Sequence, residues 1–284
     1  MIKVLAFITV LLFGTLSMLD SDPVLRNDEI TVCGDPGMAQ FVDDPAFIAA
    51  HLSPKAIDFV AEGEMIKFDT PDGKQASGYY LKAKKRSDKW LFVYQEWWGL
   101  NDNIKNQAQI FHKDLGENVN VLALDMYDGK NTTDPNEAGQ LMRGADQARL
   151  ESIVKGGMAF AGEDAKIANV GWCFGGGWSL KSGLLGSDQT VGVVMYYGMP
   201  VDDVEMLKKL NSDVLGLFAT EQWISKDVIE KFAANMETAG KDLDYKIYDA
   251  VHGFANPSNP KHDPEASKDA YGKALTYLKA RLDV

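Results

Sequence analysis

Cysteine and histidine are scarce in this chain, which has two cysteines and four histidines among its 284 residues. Three of the histidines, His51, His112 and His262, show no spacing typical of metal ligands. No cluster of histidine, cysteine and carboxylate residues is evident along the sequence either. The sequence therefore predicts neither a metal site nor a bound cofactor.

Positively charged residues are also few: the chain has 29 lysines and arginines against 41 aspartates and glutamates, which gives a formal net charge of −12. This balance argues against nucleic acid and against an anionic membrane surface as partners. An anionic substrate would have to be recognised by local groups, since the overall field does not attract it. Hydrophobic residues make up 45% of the chain, which suffices for one sizeable α/β domain with additions.

The N-terminal apolar run, residues 4–13, is shorter than the roughly 20 residues that span a bilayer. It follows Lys3 and precedes small residues, so residues 1–20 are predicted to be the signal peptide of an exported protein, periplasmic or secreted. An uncleaved N-terminal anchor is the alternative, and no membrane span is expected after cleavage. Residues 21–60 are interpreted as an extension wrapping the core, with one helix near 45–52, and residues 61–284 as the main domain.

Beyond residue 60, strand-like and helix-like segments alternate. Residues 64–70 and 75–82 flank the turn signal Asp72-Gly73 and are predicted to form a hairpin. The later segments predict a largely parallel sheet covered by helices on both faces, with functional residues on the loops at the carboxyl ends of the strands. The predicted strands are 90–94, 119–126, 167–170, 191–197, 214–219 and 245–248, and the predicted helices are 103–115, 136–160, 178–185, 204–210, 226–238 and 265–281.

The most informative segment is Gly-Trp-Cys-Phe-Gly-Gly-Gly at residues 171–177. It has the spacing of a nucleophile elbow, with Cys173 in place of serine, between an apolar run and a helix-like run. A nucleophile at a helix N-terminus is close to free backbone N–H groups that favour negative charge. The alternative is a glycine-rich turn with a buried structural cysteine. A working nucleophile cannot be held in a disulfide, so Cys33 is predicted to be unpaired.

Two further loops supply partners in the order nucleophile, acid, histidine, which is the order in α/β-hydrolases. His252 is predicted to take the Cys173 proton, and Glu221 to orient the imidazole. The backbone N–H groups of Phe174 and Trp97 are the expected oxyanion donors. Alternatively, Glu221 is an ordinary acid ahead of a helix and His252 a surface-loop histidine.

Three motifs together resemble the dienelactone hydrolase family, the cysteine branch of the α/β-hydrolase fold. They are Gln-Glu-Trp-Trp-Gly-Leu-Asn at 95–101, Gly-Trp-Cys-Phe-Gly-Gly at 171–176 and His-Gly-Phe at 252–254. The resemblance covers about residues 64–282. It implies hydrolysis of small lactones or esters through an acyl-cysteine, with Glu96 beside Cys173 controlling the ionisation of the thiol.

The sequence departs from the family pattern at two positions. Glu221 stands where the family usually has aspartate, with Asp227 a less favoured alternative. Asn256 stands where well-known members have the arginine that binds a substrate carboxylate, although Arg143 or Arg149 could supply that charge. Trp98, Phe254 and Asn256 are predicted to line the pocket, which favours neutral esters and lactones. A non-catalytic binding protein and a thioesterase or peptidase are the alternative functions.

Overall fold

The computed structural model describes residues 30–32 and 34–284, so the predicted signal peptide and Cys33 lie outside the described residues. The described residues form one eight-stranded sheet in the order β1-β2-β4-β3-β5-β6-β7-β8. The strands are β1 (Glu64–Asp69), β2 (Gln75–Leu81), β3 (Lys89–Tyr94), β4 (Asn120–Leu124), β5 (Lys166–Trp172), β6 (Thr190–Tyr196), β7 (Val214–Ala219) and β8 (Leu243–Tyr248).

Strands β3 to β8 run parallel, whereas β1 and β2 pair antiparallel and β2 also runs antiparallel to β4. The predicted hairpin at one edge and the mostly parallel sheet are therefore confirmed. Side chains of β4 and β7 are buried along the whole strand, as expected when helices cover both faces of a parallel sheet.

The described helices are α1 (Pro45–Ala50), α2 (Asp102–Asp114), α3 (Pro135–Gly144), α4 (Gln147–Ala161), α5 (Phe174–Gly186), α6 (Val204–Leu207), α7 (Lys226–Thr238) and α8 (Pro264–Leu282). Short 3₁₀ turns occupy Gly37–Phe41 and Ser187–Gln189. None of the helices in the described part of the chain is long and apolar enough to span a membrane.

Three helix predictions were wrong in extent. The helix predicted over 178–185 begins earlier, at Phe174. The single helix predicted over 136–160 is broken into α3 and α4, because Ala145 leaves the helical conformation and the Asp146 carboxylate caps α4 by accepting from the Ala148 N–H at 3.0 Å. The helix predicted over 204–210 ends at Leu207, and the chain then continues in tighter turns closed by bonds between residues three apart.

Candidate active site

Cys173 lies in the sharp turn between β5 and α5. Its backbone has φ 58° and ψ −120°, a conformation that costs a residue with a side chain on the order of 1–3 kcal/mol. The Cys173 N–H donates to the Tyr196 carbonyl oxygen at 3.0 Å, which ties the turn to β6. The flanking glycines are required: a Cβ at Gly171 would lie 2.0 Å from the Gly175 oxygen, and one at Gly175 would lie 2.4 Å from two carbonyl oxygens at the end of β3.

His252 and Glu221 meet at the carboxyl ends of β8 and β7. The His252 Nδ1 lies 2.7 Å from the Glu221 Oε1, and both side chains are buried. A carboxylate only accepts hydrogen bonds, so Nδ1 carries the proton and Nε2 is left for other chemistry. One ring nitrogen of His252 lies within 4.8 Å of the Cys173 sulfur. The thiol is therefore within reach of Nε2, whereas Asp227 lies exposed in the first turn of α7.

The charge balance around His252 favours the protonated ring. Burial alone lowers the pKa of His252, but the negative charges of Glu221 and Cys173 outweigh it and raise that pKa well above its usual value. The site thus stabilises an imidazolium beside the Glu221 carboxylate. This is the state in which a histidine holds a proton taken from a neighbouring thiol.

Glu96 follows β3 and is almost completely buried. Burial raises the pKa of Glu96 to about 7, against the opposing effects of His252 and of a hydrogen bond from Asn256. The Asn256 Nδ2 donates to the Glu96 Oε2, while the Asn256 Oδ1 accepts from the Ser258 N–H at 2.8 Å and from the Ser258 hydroxyl at 2.6 Å. Asn256 is therefore held by the protein on both sides of its amide and positions Glu96.

The remaining predicted residues divide between the cavity and the core. Trp97 and Trp98 line the cavity beside Cys173, and Phe174 is the first residue of α5, where backbone N–H groups lack partners within the helix. Phe254 does not line that cavity. It is completely buried, with its ring centroid 5.4 Å from that of Tyr197.

The cavity at Cys173 is narrow and has room for about one water molecule. No lysine or arginine is among the described residues that line it, and Glu96 is the one acidic group there. The lining comprises His51, Leu52, Pro54, Glu96, Trp97, Trp98, Cys173, His252, Gly253, Asn256 and Asn259.

Neither of the two candidate arginines reaches this cavity. Arg149 is buried, and its guanidinium binds the carboxylates of Asp72 and Asp128 at 3.1 and 2.7 Å. Arg143 pairs with Asp43 at the surface. Both arginine side chains are therefore committed to structural ion pairs.

The cavity is covered by residues 44–54, here called the covering segment, which includes α1. Phe47 is completely buried, and its ring packs edge-on against Trp97 and Trp223 at centroid distances of 5.6 and 5.2 Å. The Trp223 Nε1 donates to the Asp44 carboxylate at 2.9 Å. The covering segment, in the second half of the N-terminal extension, thus closes the catalytic end of the sheet.

His51, in the covering segment, is the site residue that sequence reasoning missed. Its ring lies 4.4 Å from Trp97 and 4.8 Å from the ring of His252, centroid to centroid. Burial and the neighbouring His252 lower the pKa of His51 to about 3, so the ring is neutral. His51, Cys173 and His252 together form a cluster of ligand atoms that the sequence did not predict. No spacing pattern could have revealed it, because His51 belongs to none of the three motifs.

Comparisons with known proteins identify the family of this chain. Residues 77–282 match the model of the dienelactone hydrolase family. Protein usf of Aquifex pyrophilus is 26% identical over 78% of this chain and 99% of its own, and a protein of Aquifex aeolicus named "Putative carboxymethylenebutenolidase" is 24% identical with the same coverage.

A crystal structure shows the same fold. It is that of a dienelactone hydrolase-like promiscuous phosphotriesterase from metagenomic libraries, which is 20% identical with a TM-score of 0.65, over 76% of this chain and 98% of the other. The family match spans most of the sheet and both of the loops that carry Cys173 and His252. The chain belongs to the dienelactone hydrolase family, and it is an ester hydrolase with the α/β-hydrolase fold.

Proposed function

We propose that the protein hydrolyses small neutral esters or lactones through an acyl intermediate on Cys173. The observation that carries the proposal is the alignment of three groups: a cysteine in a strained elbow, His252 within reach of its sulfur, and Glu221 bonded to the other nitrogen of that ring at 2.7 Å. Thiol, base and orienting acid in this relation are the elements of nucleophilic acyl transfer.

The reaction follows from the positions of these groups. His252 takes the Cys173 proton as the sulfur attacks the carbonyl carbon, and the imidazolium is stabilised by Glu221. The oxygen that becomes negative is stabilised by the backbone N–H groups of Phe174 and Trp97. His252 then protonates the departing alcohol, and a water molecule hydrolyses the thioester by the same route in reverse.

Glu96 acts on the nucleophile without joining that triad. An ionised Glu96 in the same cavity opposes negative charge on the Cys173 sulfur and favours a protonated His252. Because the pKa of Glu96 is about 7, its charge changes around neutral pH. Glu96 therefore limits the reactivity of the resting thiol, which protects it from oxidation.

The preference for neutral substrates rests on the lining of the cavity. No described lining residue carries a positive side chain apart from the two histidines, and the asparagine that replaces the family arginine is bonded to Glu96 and Ser258. A substrate carboxylate would lose its hydration here without a bidentate partner. The test compares a carboxylated lactone with its methyl ester, and a higher kcat/KM for the free acid contradicts the preference.

The intermediate is tested with a slowly hydrolysed activated ester followed by mass spectrometry. We expect the acyl group on the peptide that contains Cys173, and no turnover by Cys173→Ala. Cys33→Ser is the matched control, because it removes the other cysteine and should acylate and turn over as the unaltered protein does. An adduct on another residue, or turnover by Cys173→Ala, would contradict the proposed nucleophile.

A further inference from the structure

Three potential metal ligands converge at the covered end of the sheet: the Cys173 sulfur and one ring nitrogen each from His51 and His252, all within 4.8 Å of one another. We propose that they form a binding site for a thiophilic transition-metal ion such as Zn²⁺, and that the bound ion blocks the hydrolytic site. The binding itself is independent of the proposed reaction, whereas the block rests on it.

The hydrogen bonds of both histidines leave the correct nitrogen available. The His51 Nδ1 lies 2.7 Å from the Phe47 carbonyl oxygen, which can only accept, so Nδ1 carries the proton and Nε2 the lone pair. The His51 Nε2 is buried without a hydrogen-bond partner, and the side chain as a whole is 8% exposed. Glu221 fixes His252 in the same way. Metal-binding histidines typically donate their second N–H to a carbonyl or carboxylate, as both do here.

The distances suit a small ion. Three atoms whose separations do not exceed 4.8 Å all lie within about 2.8 Å of a common point. Zinc binds nitrogen at roughly 2.0–2.1 Å and sulfur at roughly 2.3 Å, so each atom needs to move toward that point by at most about 0.5–0.7 Å. With three protein ligands, a tetrahedral ion has a fourth position for the water that the cavity can hold.

The ligand set determines which ions bind. One thiolate and two imidazoles favour Zn²⁺, Co²⁺ and copper over Mg²⁺ and Ca²⁺, which prefer oxygen. Binding requires the thiolate and a free lone pair on the His252 Nε2, so the proton that Cys173 and His252 share is released to solvent as the metal–sulfur bond forms, with no change in oxidation state. An ionised Glu96 in the same cavity adds negative charge close to the cation.

A bound ion would occupy two groups that the hydrolysis needs, the sulfur that attacks and the His252 nitrogen that takes the proton. The third ligand comes from the covering segment, which lies outside the residues that match the family. Tight metal binding would therefore be a property conferred by the N-terminal extension of this chain. A site made of Cys173 and His252 alone would bind the same ions more weakly.

The direct test titrates the reduced protein with Co²⁺ and follows the thiolate-to-cobalt charge-transfer absorption. His51→Asn removes Nε2 but keeps an N–H donor near the position of Nδ1, and His262→Asn is the matched control at a histidine that lines another groove. We expect the band in the unaltered protein and in His262→Asn, and roughly tenfold or more weaker binding in His51→Asn. No thiolate band, or unchanged affinity in His51→Asn, would overturn the site.

A second measurement needs no variant and so remains informative if His51→Asn does not fold. X-ray absorption of the Zn²⁺-loaded protein should show one sulfur at roughly 2.3 Å and nitrogen ligands at roughly 2.0–2.1 Å. A shell without sulfur would refute the site.

The hydrolytic assay separates metal binding from the block of hydrolysis. Zn²⁺ should inhibit ester hydrolysis reversibly on addition of a chelator, with roughly tenfold or more Zn²⁺ needed for His51→Asn than for His262→Asn. Equal sensitivity of the two variants would refute the role of His51. If the protein shows the Co²⁺ band but hydrolyses no ester, the metal site stands and the proposed function fails.

Discussion

Replacing Glu96 with glutamine should make the fold less sensitive to alkaline pH. Glu96 is buried, and its pKa in the native protein is about 7 instead of its ordinary value of 4.5. Glutamine has nearly the same shape, carries no charge, and still offers an oxygen to the Asn256 amide that now donates to Glu96. The substitution therefore removes the titration while keeping the hydrogen bond and the packing.

The sign and the size of this pH effect on the free energy of unfolding follow from proton linkage. Below pH 4.5 the Glu96 carboxyl is protonated in both the native and the unfolded protein. Between pH 4.5 and 7 the unfolded chain loses this proton while the native protein keeps it, so the free energy of unfolding falls as pH rises. One pKa unit corresponds to about 1.4 kcal/mol, which gives about 2.5 kcal/mol lost between pH 5 and pH 8. The opposing attraction between Glu96 and His252 is already included in the pKa of about 7.

Urea unfolding of the unaltered protein and of Glu96→Gln at both pH values measures the effect. The comparison cancels the titration of groups that do not interact with Glu96. We expect the variant to gain about 2 kcal/mol relative to the unaltered protein from pH 5 to pH 8. Glu163→Gln, at an exposed loop residue, is the control and should show no such gain. Parallel pH profiles for Glu96→Gln and the unaltered protein would refute the reasoning.

Three further outcomes are expected. His252→Ala should lower kcat/KM by roughly 10,000-fold or more, and Glu221→Gln should lower it by less. Asp227→Asn should leave kcat/KM unchanged; if that variant is inactive, Asp227 in α7 is the orienting acid and the assignment of Glu221 is wrong. Glu96→Gln should speed alkylation of Cys173 by iodoacetamide several-fold at pH 8, and an unchanged rate would exclude electrostatic control of the thiol. Phe47→Ala should remove roughly 3–5 kcal/mol of the packing free energy that holds the covering segment in place, and it should raise the alkylation rate of Cys173 roughly tenfold or more. Equal alkylation rates for Phe47→Ala and the unaltered protein would contradict this expectation.

Local signals explain why much of the fold could be predicted from the sequence. The predicted bounds of β7 and α7 coincide with those observed, because an apolar run ends at Thr220 and Ser225 caps the following helix. The break between α3 and α4 was missed because the apolar pattern continues through it. There the capping preference of Asp146 prevails over the propensity of the flanking residues to form one long helix.

The candidate site likewise contains residues that could be placed from the sequence and residues that could not. Cys173, Glu221 and His252 could be placed together because carboxyl ends of neighbouring parallel strands converge at one edge of the sheet. The roles of Asn256 and His51 could not be predicted, since each depends on a contact distant in sequence. The Asn256 amide bonds to Glu96 after β3, and His51 comes from a segment with no pattern that links it to the sheet.

Closure of the cavity links the charge of Glu96 to the position of the covering segment. Burial is the main cause of the raised pKa of Glu96, and the aromatic residues above the cavity, Trp97 and the Phe47 that packs on it, exclude the water that would otherwise solvate an ionised carboxylate. A cavity with room for about one water does not admit an ester, so we expect the covering segment to shift when a substrate binds. Phe47→Ala tests that expectation through the exposure of Cys173, and Glu96→Gln tests the effect of the charge beside the thiol with the segment in place.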